Sequence, residues 1–448
     1  MEEIKYSDII VAMDLGSRNI RGVIGHKNQD GKLDVIWATS VPSEGGIVNG
    51  VVINIDSVAF RIKQLIIMLR NKINGLLNSS SEDPSLRVSY DITEVYVGLH
   101  GKSIRGDVND ISRLLSSEAV SVELVQSLME ENLRMKIGAS RKIVDVVPFE
   151  YVVDGMAVND PVGCICNNLH ARFLNVHGEC SVEDNLRMCF DRINESSNAD
   201  SSSNVKITPH FVLLSRHLSD AVLSAEQKEV GCMLLDFGAQ TTTLSIYHEK
   251  RLRYLHVFNF GSDLITNDIA SLKLPWNIAE KLKVCFGNAM QSMETNPMIV
   301  DLPGGRTVET PYLTGIIESR VNDFLARINN AVTVSGYSAY LDSIVVVGGG
   351  AKLNHLIEKI EAGTGLSTRF GDIRVLSNHT EAEKYADVSF ASVMGIMMAA
   401  DHGSVSVREL ETRPKKEKKE KKSGSIFPSL WGKVKETVEG KVDNFFEE

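Results

Sequence analysis

Residues Ile9–Gly25 read Ile-Ile-Val-Ala-Met-Asp-Leu-Gly-Ser-Arg-Asn-Ile-Arg-Gly-Val-Ile-Gly. Five apolar, β-prone residues, Ile9–Met13, end at Asp14. Gly16, Ser17, Arg18 and Asn19 make a tight polar turn, and a second β-prone run, Ile20–Ile24, follows at once. This is the pattern of a β-hairpin whose turn can aim backbone N–H groups and hydroxyls at an anion. A carboxylate at the end of its first strand stands where it can hold the water shell of Mg²⁺. Taken alone, the stretch is equally an ordinary hairpin with a structural glycine.

The pattern recurs. Cys232–Tyr247 reads Cys-Met-Leu-Leu-Asp-Phe-Gly-Ala-Gln-Thr-Thr-Thr-Leu-Ser-Ile-Tyr: an apolar strand, Asp236, x-Gly, small polar residues, a second strand. Two such units in one chain predict related half-molecules, each offering a phosphate-gripping hairpin to one cleft. A third signal fits the same cleft. The apolar strand Ser343–Val347 runs into Gly348-Gly349-Gly350-Ala351-Lys352-Leu353 and a helical pattern. Glycines there let the backbone lie against a flat adenosine.

With 448 residues, 43% hydrophobic and 24% charged, the chain suits two large soluble domains or more. No apolar run approaches the ~18–20 residues needed to cross a bilayer. The start, Met-Glu-Glu-Ile-Lys, is unlike a secretory signal, so a cytoplasmic location is expected. Cys164, Cys166, Cys180, Cys189, Cys232 and Cys285 are scattered, without the paired spacing of a structural zinc site, and reduced thiols are expected. The net charge of −10 is uneven. Residues 403–448 carry 11 Lys+Arg against 9 Asp+Glu, which leaves the first 402 residues at −12. An acidic body argues against nucleic-acid binding, which wants a basic face.

Along the chain, Leu33–Ser40 is expected as a third strand and Ile55–Asn78 as a helix, with Val58, Ile62, Leu65, Ile66 and Leu69 on one face. Asn78–Pro84 reads as a polar loop. Residues 91–167 read as a separate module. Its expected parts are a strand Thr93–Leu99, a helix Val122–Met135, and a strand Ile143–Val147 closed by Pro148. Tyr151–Val153 and a turn Asn159–Gly163 follow. His170–Val176 is expected as a strand, Ser181–Asn194 as a helix and Glu195–Asn204 as a loop. Ile278–Phe286 and Val388–Ala400 are expected as helices and Leu302–Gly305 as a turn.

Residues 403–424 read as linker, with the run Lys-Lys-Glu-Lys-Lys-Glu-Lys-Lys at 415–422. Beyond it Phe427, Leu430, Trp431, Val434, Val438, Val442 and Phe445 fall on one helical face, with Lys433, Lys435, Glu436, Glu439, Lys441 and Asp443 opposite. A narrow aromatic stripe flanked by lysines favours a helix lying in a membrane interface over one docked on protein. Near an anionic leaflet each lysine of the adjoining run contributes about 1 kcal/mol before its Glu neighbours are discounted.

Together these motifs resemble the actin/Hsp70/sugar-kinase superfamily, and their order resembles the FtsA family of actin-like bacterial cell-division proteins. The resemblance covers nearly all of residues 8–402. It rests on Asp14-Leu15-Gly16-Ser17, Val95–Lys102, Val147–Tyr151, Asn159–Gly163, Asp236-Phe237-Gly238, Ser262–Ala270 and Gly348–Ala351, and on the inserted module and terminal amphipathic stretch. It implies an α/β, actin-like two-lobed ATPase fold of duplicated ribonuclease-H-like halves, with a small inserted α/β domain and a C-terminal amphipathic helix. The implied subdomains are 1A (1–90 and 168–215), 1C (91–167), 2A (216–258 and 326–402) and 2B (259–325), then the linker 403–424 and a membrane-targeting helix at 425–448.

By the same resemblance the protein binds ATP with Mg²⁺ and forms filaments with itself. It holds the tubulin-like division protein FtsZ, among other division proteins, at the cytoplasmic face of the inner membrane at the division site. Asp14, Gly16, Ser17, Arg18 and Asn19 would form the first phosphate loop, and Asp236, Gly238, Gln240 and Thr241 the second. Gly348, Gly349 and Gly350 would form the adenosine turn, with Lys283 near the nucleoside and Asp14 and Asp236 holding Mg²⁺ through water. Residues touching FtsZ are implied within 259–325.

Two departures stand out. The family's second loop usually runs Asp-x-Gly-Gly-Gly-Thr, and here Ala239 and Gln240 place Cβ atoms where amides should press on phosphate. The position near Ser215, where hydrolysing relatives carry an acid or Gln, offers neither, so slow or absent hydrolysis is expected. A soluble sugar-kinase-like enzyme is the first alternative, but no sugar-facing carboxylate is apparent. Gly25–Lys32 fails as a P-loop because its spacing is one residue too long and Leu33 replaces Ser/Thr. A pilus-assembly actin homologue is the second alternative, and the tail argues against it.

Overall fold

The computed structural model describes residues 5–78, 88–199, 205–377 and 385–408. The part of the expected linker 403–424 beyond Arg408, the expected membrane helix 425–448, most of the 78–84 loop and residues 200–204 lie outside them; Val405–Arg408, also expected as linker, instead form a strand paired with Ser89–Ile92.

The first lobe opens with β1 (Ile10–Leu15), β2 (Asn19–Lys27) and β3 (Leu33–Pro42), a short hairpin β4 (Ile47–Val48) and β5 (Val51–Val52), and α1 (Ile55–Leu77). Then come β6 (Ser89–Ile92) and β7 (Glu94–Leu99). The Asn54 side chain accepts from the Ser57 N–H and starts α1, whose expected apolar stripe is buried throughout. An insert follows: β8 (Arg105–Ala119), α2 (Val122–Leu133), β9 (Arg141–Val153), β10 (Met156–Val158) and β11 (Ile165–Glu179). The chain returns through α3 (Ser181–Ala199), β12 (Thr208–Leu213) and α4 (Leu214–Val222).

The second lobe holds α5 (Ala225–Val230), β13 (Cys232–Phe237), β14 (Thr242–His248), β15 (Arg251–Phe258), α6 (Ser262–Ala270) and α7 (Trp276–Phe286). It continues with β16 (Ile299–Leu302), β17 (Arg306–Glu309), α8 (Thr310–Ser335), β18 (Ser343–Val347), α9 (Leu356–Thr364) and β19 (Ser367–Phe370). The chain then closes with α10 (Ala391–Ala399) and β20 (Val405–Arg408).

The duplication is visible in the sheets. In the first lobe the order is β12-β7-β1-β2-β3, with β1 antiparallel to β2 and parallel to β7. The second lobe repeats it as β19-β18-β13-β14-β15, with β13 antiparallel to β14 and parallel to β18. The first strand of each lobe is buried on both faces, as a central strand covered on both sides must be. In β13 the alternation splits the core: Cys232 and Leu234 join the cluster shared with the first lobe, while Met233 and Leu235 face the second lobe's helices.

Several boundaries differ from the sequence expectation. The strand at 93–99 belongs to the first lobe's sheet, between β1 and β12, and not to the inserted module. The insert's strands span 105–179 around their own core of Val120, Leu128, Tyr151, Leu169 and Phe173. β8, a long polar strand, had no sequence signal because one face is open to water and its alternating residues are only half-buried. Pro148 does not close a strand; β9 runs through it beside a register shift, the kind of irregularity at which a sheet tolerates proline. Residues 195–199 continue α3. Boundary 325/326 falls inside α8.

The lobes are also interleaved at the C-terminal side. α10 and residues 216–222 of α4, expected from sequence in the second half, pack in the first lobe's core through Leu218, Val222, Met394 and Met397. The Cβ that Gly395 lacks would fall 2.8 Å from the backbone of His217 and Leu218, so only glycine lets α10 approach α4 this closely.

Candidate functional site

The two hairpin turns face one cleft of about 310 Å³. Asp14, Gly16, Ser17, Arg18 and Asn19 line it from β1–β2, Asp236, Gly238, Gln240 and Thr241 from β13–β14, and Gly348, Gly349 and Gly350 from the end of β18. The turns are closed alike: the Gly16 N–H donates to Asn19 O at 3.1 Å and the Gly238 N–H to Thr241 O at 2.9 Å. A Cβ at either glycine would meet that carbonyl oxygen at 2.9 or 2.8 Å, so the tight turn requires glycine in both lobes. Gly348 has φ +93°, and its absent Cβ would fall 2.6 Å from Asp236 Oδ1.

Asp14 is buried and Asp236 half-buried in this cleft, and the two are not equivalent. Burial raises the Asp14 carboxyl, but its neighbour His100 (Nε2 to Oδ1 3.3 Å) and the charge of Arg21 bring it below the usual range. For Asp236, burial and then the Asp14 charge push the carboxyl up to about 6, against His100 and Arg21. Burial would lower His100, but its Asp14 partner raises it, with Asp236 adding to the same effect. The Asp14 Oδ1 atom makes no well-formed hydrogen bond. A carboxylate oxygen short of hydrogen bonds and a second carboxyl whose charge is disfavoured, both on one polar cleft, fit a hydrated divalent cation.

The phosphate-end residues tie the lobes together. Arg18 pairs with Asp263 of α6 at 2.8 Å and lies 3.9 Å above the Trp276 ring of α7. Gln240 accepts the Asn49 N–H at 2.9 Å and donates to Asp263 at 3.1 Å. The Gly50 N–H donates to the Ser17 hydroxyl at 3.1 Å. Gln240 therefore works as a strap across the cleft mouth.

Lys283 is not on the cleft wall. Its Nζ pairs with Glu280 at 2.8 Å and donates to Thr266 Oγ1 at 2.8 Å, one layer behind; Glu280 itself lines the cleft. Sequence reasoning missed Glu280, Arg21, His100, Asp263 and Lys352 as lining residues. His100 was legible in principle, since it follows the carboxyl end of β7, where sheet-edge ligands bind. Ser215 sits behind Asp236 and His100 on a cavity of about 10 Å³, its buried hydroxyl without a partner.

Duplicated lobes of this topology, with matched Asp-x-Gly hairpins on a shared cleft, define an actin-like protein. The family model of the cell division protein FtsA matches residues 233–395, and that of the SHS2 domain inserted in FtsA matches residues 101–177. Cell division protein FtsA of Neisseria meningitidis serogroup B is 24% identical over 420 residues, 89% of this chain and 94% of that one. The FtsA of Borreliella burgdorferi is 26% identical over 402 residues, 87% and 90%. Among solved structures, the PilM-PilN type IV pilus biogenesis complex shares the fold at TM-score 0.57 and 13% identity, covering 87% of this chain and 97% of that chain. The chain belongs to the FtsA family of actin-like cell-division proteins.

Proposed function

We propose that the cleft binds ATP with Mg²⁺ and that the bound nucleotide sets the assembly of filaments, which hold FtsZ at the cytoplasmic face of the inner membrane. The observation that carries this reading is the meeting of Asp14, Asp236, two glycine-closed turns and Gly348–Gly350 on one cleft. Turn amides would take the phosphates, Asp14 and Asp236 the metal's water shell, and the Gly348–Gly350 backbone the adenosine. Mg²⁺ would supply charge neutralisation of the phosphates.

Hydrolysis is expected to be slow. Ser215 carries no group able to take a proton from water at neutral pH, and the Asp14 partner of His100 shifts that imidazole upward, which reduces the share of its neutral, base-competent form. Among the described residues no helix is long and apolar enough to cross a membrane. Membrane attachment is therefore assigned to the stripe Phe427, Leu430, Trp431, Val434, Val438, Val442 and Phe445, with avidity from many copies in a filament.

The test is co-sedimentation of the full chain with anionic vesicles and FtsZ, with and without ATP, against a chain ending at residue 424. The full chain should carry FtsZ to the vesicle pellet and the truncated chain should leave both in solution. Equal pelleting of the truncated chain contradicts the membrane assignment. ATP turnover near 1 s⁻¹ or faster contradicts the slow switch.

A further inference from the structure

At the opposite end of β7 from the cleft, three side chains from distant parts of the chain converge. Glu94 opens β7, His210 lies on the neighbouring strand β12, and His402 follows α10. His210 Nε2 lies 2.7 Å from Glu94 Oε2, His402 Nε2 contacts the same oxygen, and the three ligand atoms all lie within 4.8 Å of one another. The side chains are 32%, 34% and 47% exposed, so an ion can reach them from solvent. From Glu94 to His100 is roughly 20 Å at the rise of a strand, which places this cluster well away from the nucleotide cleft.

We infer that Glu94, His210 and His402 form a two-histidine, one-carboxylate site for a zinc-class divalent metal. The chemistry is that of open zinc sites, in which two imidazole nitrogens and a carboxylate oxygen leave a fourth position to water. Donors about 2.1 Å from a tetrahedral ion stand about 3.4 Å apart, so His210 and Glu94 would part by about 0.7 Å to admit one, and His402 and Glu94 by somewhat more.

The surroundings are built as a metal's supporting shell is. His402 Nδ1 lies 2.5 Å from Asp401 Oδ1, so Asp401 can accept the Nδ1–H and free Nε2 for the ion once the proton it shares with Glu94 is released. Asp401 is itself held: the Tyr96 hydroxyl donates to Oδ1 at 2.6 Å and accepts the N–H groups of Asp401 and His402, each at 3.3 Å. His210 is kept in place by stacking on the Tyr96 ring, centroids 5.1 Å apart, and by the edge of His402. A bound ion would clip two strand ends of the first lobe to the segment that leads into β20.

Metal-stripped full chain, free of any histidine tag, is titrated with ZnCl₂ by calorimetry and with CoCl₂ by visible absorption, without nucleotide. The expected result is one tight equivalent of Zn²⁺, with proton release, and the visible bands of four-coordinate Co²⁺. His210→Gln and His402→Gln should each weaken Zn²⁺ at least tenfold and remove the Co²⁺ bands. Asp401→Asn, which touches no ion, should weaken it 10–100-fold. Wild type binding no more tightly than the double variant His210→Gln/His402→Gln, or giving no four-coordinate Co²⁺ bands, overturns the site and leaves an ordinary ion-pair cluster.

Discussion

Asp14 and Asp236 occupy matching places in matching hairpins, yet the fold treats them differently. The His100 partner brings Asp14 below the usual carboxylate range, while at Asp236 burial and the Asp14 charge outweigh His100 and Arg21. A carboxyl raised to about 6 from 3.8 stabilises the folded state fully only below the unfolded value, and that contribution is lost as pH rises through 6. At neutral pH the ionised Asp236 therefore costs the free protein up to about 3 kcal/mol. Asp236→Asn should raise the unfolding midpoint at pH 7.5, with the gain shrinking toward zero near pH 4, while Mg²⁺-dependent nucleotide binding is lost. Chemical denaturation at the two pH values checks this; a variant less stable at both contradicts it. The carboxylates themselves were legible from their strand-end positions. Their inequality was not, because it depends on His100 and Arg21 arriving from other positions in the fold.

At the scale of elements, glycine placement decides how closely the hairpins and the β18 turn meet. Gly348→Ala would strain a left-handed backbone and push a Cβ against Asp236 and the Phe237 carbonyl, at a cost of about 2–4 kcal/mol. Thermal unfolding should show it as a clear fall in midpoint, where an unchanged midpoint would contradict the packing. Gln240→Gly removes the strap to Asn49 and Asp263. It should speed both nucleotide entry and release in stopped-flow traces, with little change in the unfolding midpoint. Slower exchange would show that Gln240 obstructs no path.

Hairpins, α1 and the glycine turn could be read from sequence because their signals are local: alternation, a helical stripe, an Asp-x-Gly turn. β7's place in the central sheet, α10's return to the first lobe and the strap made by Gln240 could not. Each depends on partners tens to hundreds of residues away. β8 was hidden for a different reason, as its water-facing residues blur the period-two pattern.

At the scale of the whole molecule, the first-lobe turn is fastened to the second lobe by Arg18, Asp263 and Trp276 at the cleft mouth. Arg18→Ala should loosen the lobes, seen as faster amide exchange in the β1–β2 and β13–β14 turns. Unchanged exchange there would mean that the shared core alone sets the closure.

The central claim is that two duplicated hairpins grip a single nucleotide, and equilibrium dialysis with labelled ATP and Mg²⁺ tests it most directly. One ATP per wild-type chain is predicted, with affinity falling at least tenfold in both Asp14→Asn and Asp236→Asn. No binding by the wild type, or binding untouched by either substitution, would contradict it.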